Sequence, residues 1–231
     1  RENDLISVDN AIERLGFGLF QTMILISCGL CFAADAMQVI LLSFLAPILQ
    51  DEWNLSDQET ATMTSIVFAG AMVGTLILGP LADRVGRRPV FCMAASIISI
   101  AGFGLALSIN YETALLCIFF VGVGVGGLTV PFDVLAEFLP SEQRGTNLLL
   151  IEYFWTIGCL YVVAVAYMTL QGPQPEWRLF TGLCTLPCLL SLCMGYFCVP
   201  ESPRWLASQD QLDIAMRILR SAAKDNGHEV E

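Results

Sequence analysis

Six apolar stretches dominate this sequence, each long enough for a helix to cross about 30 Å of hydrocarbon. They run Leu19–Leu45, Ala61–Leu81, Pro89–Leu107, Ala114–Phe132, Thr146–Leu170 and Phe180–Val199, and each carries one charge or none. Charged residues gather in short clusters between them. Lipid offers backbone groups no hydrogen-bond partner, so the stretches must be helices unless they alternate as barrel strands do, and that alternation is absent. The sequence predicts an all-α membrane protein, a six-transmembrane-helix bundle. Composition agrees: 55% of the 231 residues are apolar and only 14% charged, against about 25% charged in an ordinary soluble domain.

Net charge excludes one class of partner. At −11 the chain offers no basic stripe for phosphates, so no nucleic acid is expected. The nine cysteines, Cys28, Cys31, Cys92, Cys117, Cys159, Cys184, Cys188, Cys193 and Cys198, all fall in apolar stretches, where they act as small hydrophobes. Cys28-Gly29-Leu30-Cys31 has redox spacing but lacks the βαβ context that reading needs. The single histidine, His228, lies near the end. Neither a metal nor a cofactor is expected. No serine–histidine, His-Glu-x-x-His or paired-aspartate motif supports an enzyme. The first apolar stretch is too long for a cleavable signal peptide. The chain starts at Arg1 and stops just past a helical tail, so a fragment of something longer is expected.

Polar segments supply the boundaries. Ser56-Asp57-Gln58-Glu59 is a capping box before the second span, and Gly172-Pro173-Gln174-Pro175 is a tight turn between the fifth and sixth. Arg1, Arg14, Arg84, Arg87, Arg88, Arg144, Arg204, Arg217, Arg220 and Lys224 fall on one side of a six-span topology; Arg178 alone falls opposite. By the positive-inside rule that side is the cytoplasm, and both termini are cytoplasmic. Beyond the last span Ser208 is expected to cap a helix, with Gln211 completing the box. There Leu212, Ala215, Met216, Leu219 and Ala223 recur at helical spacing among basic residues. A shorter helix with Val8, Ile12 and Leu15 on one face is expected before span one. The expected organisation is a cytoplasmic segment at 1–18, the six-helix bundle at 19–200, and an amphipathic helix opening a central linker at 201–231.

The loop after span two reads Gly79-Pro80-Leu81-Ala82-Asp83-Arg84-Val85-Gly86-Arg87-Arg88. Gly79 is expected to allow close helix approach and Gly86 a tight turn. Asp83 sits at a helix end, where it can accept from arginines or face another helix's N-terminal dipole. A plain basic loop accounts for the arginines but not for the Gly and Asp spacing. The segment resembles the G-x-x-x-D-R-x-G-R-R signature of the major facilitator superfamily at every specified position. Three more segments fit: Glu137 and Arg144 as E-x₆-R, Pro200-Glu201-Ser202-Pro203-Arg204 after span six, as in sugar-porter-like members, and Gly122, Gly124, Gly126 and Gly127 as a small-residue face. Ala34-Asp35-Ala36-Met37, Leu42-Ser43-Phe44-Leu45-Ala46-Pro47, Ala136-Glu137-Phe138-Leu139-Pro140 and Leu149-Leu150-Ile151-Glu152-Tyr153-Phe154-Trp155 look like the synaptic vesicle 2-related proteins. The resemblance covers nearly the whole chain. It implies the N-terminal half of a twelve-span transporter, a 3+3 inverted repeat, with substrate bound between two six-helix bundles near the midplane. One position departs from it: Ile118 stands where sugar-porter-like relatives place an arginine in span four.

Acids inside a membrane are costly, about 2.5–3.5 kcal/mol even on the lenient scale, and face water or a partner. Asp35 lies 16 residues into span one, roughly 24 Å along it, which places it toward the outer half. It can couple transport to a cation, contact substrate, or serve as a hydrogen-bonded structural acid. Asp133, outside any motif, shares the first two roles. Gly79, Asp83, Arg84, Gly86, Arg87 and Arg88 are the expected gating motif. Glu137, Arg144, Glu152, Glu201 and Arg204 are expected to form an ion-pair network at the cytoplasmic face. The leading function is a secondary transporter that moves a small organic solute or ion by alternating access. The other class is a receptor or vesicle component of transporter fold that does not transport. Expected partners are the lipid bilayer, the solute, and a missing C-terminal half, or a second copy if the chain is complete. The expected location is the plasma membrane or an intracellular vesicle.

Overall fold

A computed structural model describes residues 2–127, 129–142, 144–172 and 175–227, with side chains from Val8 onward. Arg1, His228 and the centre of the expected turn at Pro173-Gln174 lie outside the described residues. The described chain is helical: α1 (Glu2–Leu15), α2 (Leu19–Trp53), α3 (Asp57–Val85), α4 (Arg87–Ala106), α5 (Tyr111–Val125), α6 (Thr129–Phe138), α7 (Arg144–Thr169), α8 (Trp177–Cys198), α9 (Pro203–Ser208) and α10 (Leu212–Asp225). Six segments are long and apolar enough to cross a membrane, with α5 and α6 together making the fourth. They outrun the apolar stretches because polar caps extend beyond hydrocarbon. The Ser56 hydroxyl accepts from the Glu59 amide at 3.3 Å while Glu59 Oε2 accepts from the Ser56 amide at 2.8 Å, the expected capping box.

Which helices touch follows a two-fold rule. The principal spanning contacts are α3 with α5, α2 with α7, α4 with α8, α2 with α8, and α4 with α5. Exchanging α2, α3, α4 for α5, α7, α8 maps α3–α5 onto α7–α2 and α2–α8 onto α5–α4, and returns α4–α8 to itself. Two inverted three-helix repeats produce that pattern. Small residues permit the closest pair. A Cβ on Gly70 would meet the Phe119 carbonyl, and one on Gly122 the Val67 carbonyl, so backbones of α3 and α5 touch directly. Gly79 does not take part: nothing among the described residues lies within 4 Å of where its Cβ would be.

Buried apolar side chains form two clusters, one toward each end of the bundle. The first joins Val8 and Ile12 of α1, Phe20 and Ala34 of α2, Phe138, Leu206 and Leu219. The second joins Met37, Leu41, Leu45, Met63, Trp177 and Phe180. Large apolar residues such as Phe68, Leu76, Ile100 and Leu160 remain exposed on the outer face, as lipid contact requires.

The short helices differ from expectation at one point. Ser208 does not start the amphipathic helix; it ends α9, and its hydroxyl donates to the Trp205 carbonyl at 2.7 Å. Ser202 is the cap, accepting from the Trp205 amide at 3.1 Å with Pro203 at the first helical position. Gln211 precedes α10 without a side-chain cap bond. Ser202 before Pro203 thus opens a separate short helix, and the amphipathic helix itself begins at Leu212.

Candidate functional site

Arg87 organises the end of the bundle that carries α1, α9 and α10. It opens α4 immediately after Gly86, whose φ of +117° suits glycine and no β-carbon. Its side chain is 19% exposed, and its guanidinium meets three carboxylates: Asp83 Oδ1 at 3.0 Å, Asp133 Oδ2 at 3.4 Å and Glu137 Oε1 at 3.3 Å. α3 supplies Asp83 one turn before, and α6 supplies Asp133 and Glu137 one turn apart. Asp133 therefore belongs to this charged cluster and not to the bundle interior. Arg88 turns away, donating Nη2 to the Tyr196 carbonyl at 2.6 Å with its guanidinium 5.8 Å from that ring's centre. Arg84 is exposed on the last turn of α3.

Each polar residue of the segment after α8 has an identifiable task. Glu201 Oε1 accepts the amides of Arg87 at 2.9 Å and Arg88 at 3.1 Å, satisfying two orphan donors of α4 with a negative charge. Ser202 caps α9. Arg204 pairs with Asp9 of α1 at 2.9 Å, and Trp205 Nε1 donates to the Asp83 carbonyl at 2.9 Å. The loop of α3–α4 and the helices beyond the bundle are thus one unit.

Two expected members of the network stand apart. Arg144 makes no ion pair with Glu137 among the described residues; its Nη2 reaches the Leu139 carbonyl at 3.3 Å, and its Nε has no partner. Glu152 is exposed on α7, with no ion pair among the described residues. Sequence spacing puts these residues near one end of α7 but does not say which side chains they meet. Asp9 escaped the sequence reading, as did Asn226. The Asn226 amide caps α2 from 206 residues away, its Oδ1 accepting from the Phe20 amide at 2.9 Å and its Nδ2 donating to Gln21 at 2.9 Å. No local pattern signals either contact.

Asp35 occupies the interior. α2 runs 35 residues, from Leu19 to Trp53, so Asp35 sits at its middle and not toward one end; the continuation of the helix past Leu45 accounts for the difference. Ala34 belongs to one apolar cluster and Met37 to the other, so the carboxylate lies at the seam between them. It is 8% exposed, and Oδ1 has no hydrogen-bond partner among the described residues. Ion pairs among the described residues leave it out. Ile118 is buried on α5 beside Gln38 and Leu42, so hydrocarbon fills the position at which the family resemblance led one to expect an arginine. Gln38, one turn on, is 2% exposed with Nε2 also unpartnered; as an intramembrane amide next to an intramembrane acid it was legible in the sequence.

Six spanning helices in two inverted triplets, with a charged cluster between the second and third, define one half of a major-facilitator fold. The chain belongs to the family described as sugar (and other) transporter, which matches residues 23–231. It is 36% identical over 224 residues to organic cation/carnitine transporter 7 of Arabidopsis thaliana, covering 97% of this chain and 44% of that protein. It is 35% identical to the synaptic vesicle 2-related protein of Bos taurus, covering 97% and 40%. The chain thus spans less than half the length of these curated relatives. Among solved structures, the proton:xylose symporter XylE bound to 6-bromo-6-deoxy-D-glucose superposes with a TM-score of 0.79 at 24% identity, covering 88% of this chain and 50% of that one. XylE of E. coli in a partially occluded inward-open conformation gives 0.76 at 25% identity, covering 89% and 56%.

Proposed function

We propose that this chain forms the N-terminal half of a cation-coupled, most simply proton-coupled, transporter of a small organic solute that works by alternating access. The observation that carries the proposal is Asp35: a carboxylate at the middle of the first span, buried, and without a cationic partner among the described residues. An acid so placed is costly to keep unless it exchanges a proton or meets a cation during the cycle. Proton binding that differs between two conformations is what coupling requires. Support comes from relatives too, one named an organic cation/carnitine transporter and a structural neighbour named a proton:xylose symporter. In this proposal solute binds between this bundle and a second one, both chain ends are cytoplasmic, and the Arg87 cluster governs exchange between states.

Asp35→Asn keeps the shape and removes titration. In the full-length protein reconstituted in liposomes with an imposed pH gradient, accumulation should fail while solute exchange survives. Unimpaired pH-driven accumulation would reject the coupling role. Loss of exchange together with accumulation would make Asp35 a direct contact for a cationic solute.

A further inference from the structure

A cleft of about 500 Å³ opens at the end of the bundle that carries α1, α9 and α10, between the last turn of α8, the start of α2 and one face of α10. Its lining is divided. Phe197, 81% exposed, and Ile214, 42% exposed, form an apolar part, while half-buried Arg88 and exposed Arg217, Ser221 and Asp225 form a polar part. Phe197 stands in the last turn of a spanning helix, so the apolar part lies where acyl chains meet headgroups, and α10 is an amphipathic helix suited to that depth. Arg88 is fixed in place by its bond to the Tyr196 carbonyl. Arg217 donates Nε weakly to the Asp213 carbonyl at 3.4 Å and makes no ion pair among the described residues. Two guanidiniums against one carboxylate leave the cleft positive, and guanidiniums suit phosphate oxygens.

We propose that this cleft binds an anionic phospholipid whose headgroup carries hydroxyls. The phosphate meets Arg88 and Arg217 and accepts from the Ser221 hydroxyl, and the acyl chains pass over Phe197 and Ile214 into the bilayer. Asp225 sets the headgroup: its carboxylate accepts from the hydroxyls of inositol or glycerol and repels the carboxylate of serine. A free phosphate would use only the polar half of the cleft, whereas a lipid uses both halves. The inference does not rest on what the protein transports.

The full-length protein in nanodiscs of phosphatidylcholine, doped in turn with phosphatidylinositol, phosphatidylglycerol or phosphatidylserine, provides the test. Lipid retained through purification is read by native mass spectrometry. Phosphatidylinositol and phosphatidylglycerol should be retained over phosphatidylcholine and phosphatidylserine. Arg217→Ala should weaken that retention about tenfold or more, as loss of a charge-assisted hydrogen bond does. Arg220→Ala, on the same helix outside the cleft, removes only general surface attraction and should cost no more than about fivefold. Ser221→Glu keeps both arginines and should abolish the preference without lowering the melting temperature. Asp225→Asn should bring phosphatidylserine up to phosphatidylinositol. Equal retention of neutral and anionic lipid, equal loss in the Arg217 and Arg220 variants, or displacement of the lipid by millimolar inorganic phosphate would each overturn the proposal.

Discussion

Glu201 reaches across 114 residues of sequence to accept the amide of Arg87 at 2.9 Å. The same oxygen takes the Arg88 amide, and the carboxylate presses on Gly86, where a Cβ would overlap Glu201 Oε2. A side chain from beyond the last span therefore caps the third span and fixes the turn that precedes it. Glu201→Ala removes that cap and its charge, a loss of about 1–2 kcal/mol. The melting temperature of the purified protein should fall by about 2–4 °C per kcal/mol. Glu201→Gln, which keeps an acceptor oxygen, should recover part of the loss. Gly86→Ala should destabilise as well, through positive φ and collision with Glu201; an unchanged melting temperature for both Glu201→Ala and Gly86→Ala would refute the cap.

Asp83 and Glu137 both pair with Arg87, yet they should not behave alike. Asp83 is 66% exposed and its pair with Arg87 is worth about 0–1 kcal/mol to stability. Asp83→Ala should leave the fold intact, lower turnover and preserve the rank order of substrates, since the cluster lies at one end of the bundle while Asp35 lies at its middle. Arg87→Ala strands Glu137, 16% exposed, and should cost on the order of 2 kcal/mol in addition. Uptake assays on a substrate panel, with melting curves, separate the two effects. A reordered panel with normal turnover for Asp83→Ala would mean that the cluster selects substrate.

Topology is open to direct labelling. Asn54 is exposed in the turn between α2 and α3, at the opposite end of the bundle from the Arg87 cluster. With both chain ends cytoplasmic, a cysteine at position 54 reacts with an impermeant maleimide from outside sealed cells, in a background without the reactive native cysteines. Asn54-Leu55-Ser56 is a glycosylation sequon, but it sits within one turn of a spanning helix, so labelling is the better measure. Reaction only after permeabilisation would reverse the orientation.

The residues that betrayed the fold and those that betrayed the site differ in kind. Six apolar stretches and the Ser56–Glu59 box are local patterns, and local patterns survive reading one residue at a time. The Asp83–Arg88 turn is local too, which is why Arg87 and Asp83 were legible. The pairing of Asp133 with Arg87 was not legible, because a residue near the end of a spanning helix can face the interior or the loop, and the α3–α4 turn, 46 residues away, decides between them. Arg144 and Glu152 fail in the complementary way: spacing along α7 does not say which side chains they meet. Asn226 and Asp9 contribute through contacts between distant segments, and no periodicity encodes such a contact.

Close packing beside Asp35 gives the last prediction. α7 lies against α2 so tightly that a Cβ on Gly158 would sit 2.5 Å from the Ala33 carbonyl oxygen, two residues from Asp35. Gly182, also within a spanning helix, has no neighbour among the described residues within 4 Å. Alanine at either position gains the same helix propensity, about 1 kcal/mol. At Gly182 nothing opposes that gain, so Gly182→Ala should be neutral or stabilising. At Gly158 overpacking against rigid backbone costs about 1–3 kcal/mol, and the wedge must push α2 aside at the level of Asp35. Gly158→Ala should therefore lower both the melting temperature and the transport rate, and Gly158→Leu should do so more severely. The inverted repeat places the α3–α5 pair in the equivalent position, so Gly122→Ala, facing the Val67 carbonyl, should lower stability by a similar amount without touching Asp35. Transport measured at matched stability then isolates the effect on the acid: a Gly158 variant no more impaired than the Gly122 variant would show that the setting of Asp35 does not limit the cycle.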